Sequence, residues 1–303
     1  MPHTHTIGHL SYLQALVLGL LQGVSELFPI SSLGHTVLFP ALFGWHSLVK
    51  AQLATHGSFF LAFVVALHVG TALALLVYFR AEWVRIIGAF FHTLTTRRIE
   101  TPDERLAWLL GIATIPAGLM GLIFEHLFRV LFATPIAAAL FLMVNGLILL
   151  VGDRARLKAE HRSRSRRSGA AVANHRQLAT LEFKEAGVIG TAQVLALLAG
   201  ISRSGITMVA GLLRGLDYED SARFSFLLAT PIILAAGVYK LPELFTPVGR
   251  SVQGQAVLGG LAAAVAAYLS TRFLMRYFEH NRLWPFAAYC LVFGAAMVIR
   301  FSL

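Results

Sequence analysis

Two polar clusters interrupt an otherwise apolar chain, and their residue types suit phosphate chemistry. The first, in residues 20–36, carries Gln22, Glu26, Ser31, Ser32 and His35. The second, in residues 191–207, carries Gly200, Ser202, Arg203, Ser204 and Thr207. Glu26 follows Gln22 by one helical turn, so amide and carboxylate share a helix face where they could hold a hard cation or orient water. Ser31, Ser32 and His35 follow Pro29. A hydroxyl three residues before an imidazole can supply a nucleophile and its base, or a phosphate-binding hydroxyl and a proton donor. In the second cluster, Arg203 and the hydroxyls stand just ahead of an apolar half-helix expected over 208–213. A helix N-terminus joined to a planar guanidinium clamps anions, and so many donors suit a phosphate or diphosphate better than a carboxylate.

Blander readings stand beside each of these. Ser and His near a helix start often do no more than cap it. Glu26 and Arg203 could form a plain ion pair that locks two segments, although that leaves the Ser and His cluster unexplained. Laid over one another without gaps, the clusters match at Gln22/Gln193, Ile30/Ile201, Ser31/Ser202, Gly34/Gly205 and Thr36/Thr207. Paired interruptions of this kind point to two half-sites meeting inside a membrane.

The elements that must position these groups are membrane helices. The 303 residues are 57% hydrophobic and only 13% charged, with a mean hydropathy of +0.71, far from a soluble composition. Six nearly charge-free stretches, 57–79, 106–128, 135–151, 224–241, 256–273 and 284–299, are long enough to span a bilayer as helices. Residues 10–43 and 185–213 are apolar but broken by Pro, Gly and Ser, which predicts two re-entrant helical hairpins. If each span crosses once and each hairpin returns to its own side, most of the 25 Lys and Arg fall on one side, which the positive-inside rule makes cytoplasmic. The expected fold is therefore an all-α polytopic membrane protein with an inverted-topology repeat, six transmembrane helices plus two re-entrant hairpins. It forms one integral domain over 1–303, with repeat 1 at about 7–152, a basic cytoplasmic linker at 153–184 and repeat 2 at about 185–303.

The net charge of +10 does not indicate nucleic acid, because much of it is concentrated in the linker between 154 and 176 without interleaved aromatics. A loop beside anionic lipid accounts for it. Cys290 is the single cysteine, so it can form no disulfide within the chain. The N-terminus lacks the basic region of a removable signal peptide. His68 and Asn145, each within a span, read as hydrogen-bonded packing residues. Glu125, His126 and Arg129 read as a solvent-facing span end, and Pro116 and Pro231 as helix kinks. His3 and His5 read as part of a flexible terminus.

At the two motifs the sequence resembles the undecaprenyl-diphosphate phosphatase family, also known as bacitracin-resistance proteins. The family pattern, (E/Q)xxxE leading into PxSSxGH, falls on Gln22, Glu26, Pro29, Ser31, Ser32, Gly34 and His35. A distant PGxSRSxxT falls on Gly200, Ser202, Arg203, Ser204 and Thr207, with Ala199 in place of the Pro. Further similarity in ALHVGTALALLVYFR, IPAGLMGLIFE and RFSFLLATPIILAAG extends the resemblance over most of the chain. It implies hydrolysis of undecaprenyl diphosphate to the monophosphate in the bacterial inner membrane, at a site opening to the periplasm, with a divalent cation, Mg²⁺ or Ca²⁺. By position it gives a metal or acid–base role to Glu26 with Gln22. The essential serine falls on Ser32, its histidine on His35 and the phosphate clamp on Arg203, and the remaining hydroxyls and Gly200 join the phosphate site. Gln22 stands where many members have Glu, which removes a charge from the metal shell, and the basic insert is longer than expected. Expected partners are a polyprenyl diphosphate and membrane lipids, with a homodimer allowed. The competing reading is a lipid-phosphate flippase or phosphate transporter, which needs a binding site but no nucleophile or base.

Overall fold

In a computed structural model of the chain the described residues are 10–53, 59–132, 134–166 and 178–303, and every regular element among them is a helix. His3, His5, the side chains of Glu125, His126 and Arg129, and linker residues 167–177 lie outside the described residues.

The first broken region opens with a capping box in which Ser11 and Gln14 satisfy the free N–H groups of α1 (Tyr12–Ser25). The helix ends at Glu26, and Pro29 disfavours its continuation. Ser31 then takes φ +71° and caps α2 (Ser32–Leu42) by accepting the Gly34 N–H at 3.2 Å. A non-glycine residue held there costs on the order of 1–3 kcal/mol, which the surrounding contacts must offset. The chain continues through α3 (His46–Leu53), α4 (Phe59–Tyr78), α5 (Arg80–Thr96), α6 (Pro102–Phe132) and α7 (Pro135–Arg166).

The second broken region opens with a capping box between Glu182 and Glu185 at the start of α8 (Phe183–Ala192). It tightens into a 3₁₀ helix at Gln193–Leu197 and reverses through Gly200 at φ +114°. The chain restarts as α9 (Arg203–Leu213), capped by Ser202, which accepts the Gly205 N–H at 3.1 Å. Then follow α10 (Tyr218–Lys240), α11 (Pro247–Arg250), α12 (Gln253–Phe278) and α13 (Trp284–Ser302).

The molecule is an all-α polytopic membrane protein. Among the described residues six helices, α4, α6, α7, α10, α12 and α13, are long and apolar enough to cross a bilayer, in the places the hydropathy indicates. Two stretches differ from the sequence reading. Residues assigned to charged loops continue as helix: α5 forms after Arg80, and α7 runs on to Arg166 through part of the basic stretch. Arg, Lys, Ala and Glu are strong helix formers, so charge removes these residues from the membrane without ending the helix. The second half-helix begins at Arg203 rather than residue 208, because the Ser202 cap starts it earlier.

The two broken regions share some local bonding. Thr36 Oγ1 donates to the Ser32 carbonyl at 2.9 Å, and Thr207 Oγ1 to the Arg203 carbonyl at 2.8 Å. Gly19 lies so close to Gly259 of α12, and Gly190 to Ala113 of α6, that a Cβ on either would run into the facing backbone. Packing follows the same pairing: α1 and α4 lie on α12, α8 and α10 lie on α6, and α4 packs on α10 as α7 packs on α13.

Candidate active site

The two broken regions meet at their turns, and Asn145 of α7 joins them. Fully buried, it donates from Nδ2 to the Pro29 carbonyl at 2.9 Å and accepts the Ser202 N–H on Oδ1 at 3.0 Å. Ser31 Oγ accepts the Gly200 N–H at 3.2 Å, and Ser204 Oγ donates to the Phe28 carbonyl at 3.3 Å. Gly200 is tied to its position twice over: its φ disfavours any side chain, and a Cβ would overlap the Ala138 carbonyl and Phe141 on α7.

This junction brings Arg203 onto Glu26, with Nη2 donating to Oε1 at 2.7 Å. Glu26 Oε2 accepts from the Ser32 hydroxyl and from Gln22 Nε2 at 3.1 Å. His68 of α4 places Nε2 3.6 Å from the same oxygen. Glu26, Ser32, His68 and Arg203 form the polar end of a cavity of about 310 Å³ that is also faced by Ser31, Gln193 and Ser202. Its walls are apolar, from Leu61, Val64 and Val65 on α4 and Ile232, Ile233 and Ala236 on α10, and it extends to Lys240.

Three buried polar atoms at this junction have no hydrogen-bond partner among the described residues: Arg203 Nη1, Gln22 Oε1 and Gln193 Oε1. An unpaired buried donor or acceptor is costly and marks a place for an added group. Arg203 Nη1 is a donor suited to a phosphate oxygen, while the two amide oxygens can take a cation or an O–H.

The structure thus brings together Gln22, Glu26, Ser31, Ser32, Ser202 and Arg203. It does not bring in His35, Gly200, Ser204 or Thr207. His35 is wholly buried, with Nδ1 2.7 Å from the Ser31 carbonyl and Nε2 2.7 Å from the Tyr289 hydroxyl, and it stacks on Tyr289 and Phe293. The expected Ser32–His35 pairing is absent for a rotational reason. Ser32 and Leu33 both face the cavity; at about 100° per residue, His35 then points well away from the direction midway between them, toward α13. Gly200 serves the turn. Ser204 and Thr207 are fully bonded elsewhere, Thr207 Oγ1 lying 2.6 Å from Ser225 Oγ on α10. Short hydroxyls on a helix bond readily to its own carbonyls, which uses up their capacity.

Three further residues lie at the junction. His68, expected as a hydrogen-bonded packing residue, faces the cavity, and an ionisable group in mid-span is the signal that marks function in a membrane. Gln193, the counterpart of Gln22 in the gapless match, faces the cavity too. Asn145 makes the kind of interhelical hydrogen bonds expected of it.

As for a divalent cation, no group of three or more His, Cys, Asp or Glu that could hold a metal occurs among the described residues. Among the described residues Glu26 is the carboxylate at the cavity, and Gln22, bonded to it through Nε2, has its Oε1 unpaired. That donor set fits a cation shared with substrate phosphate oxygens, as magnesium is often held, but not a cage made by protein alone.

Fold and site together define a multi-pass membrane protein whose polar centre unites two broken helices around a carboxylate–guanidinium pair. The chain belongs to the bacitracin resistance protein BacA family, whose profile matches residues 15–296. It is 54% identical to undecaprenyl-diphosphatase 2 of Frankia alni, over 97% of this chain and 99% of that one. It is 53% identical to the undecaprenyl-diphosphatase of Mycolicibacterium paratuberculosis, over 97% and 99% of the two chains. Against the undecaprenyl-diphosphatase of Mycobacterium avium it is 52% identical, over 97% and 98%.

Proposed function

We infer that this chain is a membrane phosphatase that hydrolyses undecaprenyl diphosphate to undecaprenyl phosphate and inorganic phosphate, recycling the lipid carrier of cell-wall synthesis. The relatives' names support the substrate. The observation that carries the chemistry is Arg203, with one nitrogen fixed on Glu26 and the other unpaired at a cavity with apolar walls. A diphosphate bound there meets Arg203 Nη1 while its isoprenoid tail lies against Val64, Val65, Ile232 and Ile233. Charge developing on the transferred phosphoryl group is stabilised by the guanidinium, fixed in place beforehand by Glu26.

His68 takes the acid–base role in this proposal. Its Nδ1 lies 2.9 Å from the Val64 carbonyl, which can only accept, so the proton of the neutral ring sits on Nδ1 and the lone pair on Nε2. That lone pair can receive a proton, and the Glu26 carboxylate 3.6 Å away stabilises the resulting imidazolium. Ser32 holds Glu26 through its hydroxyl. A divalent cation bound by Glu26, Gln22 Oε1 and substrate oxygens would add further neutralisation of phosphate charge.

The halves insert as inverted repeats in this reading, supported by the matched caps and the charge bias of the loops. The membrane is the bacterial inner membrane and the cavity opens to the periplasm. In support, the cavity runs from the helix turns toward Leu61, near the start of α4, and Lys240, at the end of α10. Both are ends the positive-inside rule puts outside the cell.

The test is inorganic phosphate released by purified protein from a prenyl diphosphate in detergent. Wild type should turn over, and Arg203→Ala should lose at least about 100-fold. A flippase would move lipid without releasing phosphate; retained turnover in Arg203→Ala would refute the role given to the guanidinium.

A further inference from the structure

We propose that Gln193 is a catalytic residue of this site, its amide oxygen holding the water that attacks the terminal phosphorus. The proposal rests on the phosphatase reading above. Gln193 opens the 3₁₀ helix of the second broken region, is 2% exposed, and faces the same cavity as Arg203 and His68. Its Nε2 donates to the Ala113 carbonyl on α6 at 3.0 Å. That bond fixes which way the amide lies, because turning it over would set oxygen against oxygen. Oε1 is thereby directed away from Ala113, and it has no donor among the described residues.

A phosphate cannot supply that donor unless it is protonated, since ionised phosphate oxygens only accept. The O–H that hydrolysis must bring to the cavity is water. Arg203 Nη1 answers the phosphate and Gln193 Oε1 answers the nucleophile, so the two unpaired atoms whose residues face the cavity divide the reactants between them. A glutamine orienting the attacking water is an established device in phosphoryl transfer. The water oxygen bonds to the terminal phosphorus as the bond from that phosphorus to the bridging oxygen breaks. The prenyl monophosphate leaves with the bridging oxygen and its electron pair, and the water proton passes to His68 Nε2.

Steady-state phosphate release by the purified full-length protein, with thermal unfolding of each variant, tests this. Gln193→Met keeps side-chain length but removes acceptor and donor. Gln193→Glu keeps an acceptor and removes the donor to Ala113. The expected result is a kcat about 100-fold lower in Gln193→Met with KM unchanged, a loss under about tenfold in Gln193→Glu, and a similar unfolding temperature in the two variants, since both lose the Ala113 bond. Wild-type kcat in Gln193→Met overturns the proposal. So does an equal loss in both variants with lowered unfolding temperature, which would make the Ala113 bond the whole role, and so does a rise in KM alone, which would assign Gln193 to substrate binding. Absence of phosphate release by wild type would instead overturn the underlying phosphatase reading.

Discussion

Glu26 carries contacts from Arg203, Ser32, Gln22 and His68 on one buried carboxylate. Removing its charge leaves a guanidinium buried without a counter-charge, so Glu26→Gln should lower unfolding stability by about 3–5 kcal/mol, measured by thermal melting in detergent. The double variant Glu26→Gln with Arg203→Met should recover part of that loss. The two histidines separate in the opposite way. His68→Phe should cut turnover by about 100-fold or more and leave melting unchanged. His35→Phe keeps an aromatic ring against Tyr289 and Phe293 and leaves the Ser31 carbonyl the backbone N–H of residue 35, but strands the Tyr289 hydroxyl, so it should cost about 1–3 kcal/mol of stability. The Gln22–Glu26 turn was legible in the sequence because a four-residue spacing fixes a shared face. Which histidine enters the cavity was not, since that depends on where α2 starts.

Among the elements, the two interrupted helices are fastened less by one another than by α7. Asn145 bonds to both turns, and Asn145→Leu should leave the Ser202 N–H buried and unpaired and the Pro29 carbonyl with only the weak Cys290 thiol at 3.9 Å. The expected loss is about 2–4 kcal/mol of stability together with turnover, read from melting and phosphate release on the same sample. The six spans could be read from hydropathy because a bilayer demands long uncharged runs. The helical extent of α5 and of the end of α7 could not, because outside the bilayer charge no longer distinguishes helix from loop. The duplicated caps were half legible: the sequence match marked Ser31 and Ser202, but their bonds to Gly34 and Gly205 required the backbone.

On the scale of the whole molecule, neither half owns the site. Glu26, Ser32 and His68 come from the first half and Gln193 and Arg203 from the second. Chains ending at residue 166 and starting at residue 178 should each release no phosphate, yet should restore activity when produced together in one membrane, assayed on the co-purified pair. The Glu26–Arg203 bond also spans 177 positions of sequence. At a synthesis rate of ~5–20 residues per second, the ribosome makes the acid on the order of 10–35 s before the base. During biogenesis the newborn amino-terminal segment therefore enters lipid with its acid unmatched, and late arrival of the carboxy-terminal segment both completes the enzyme and relieves that exposure.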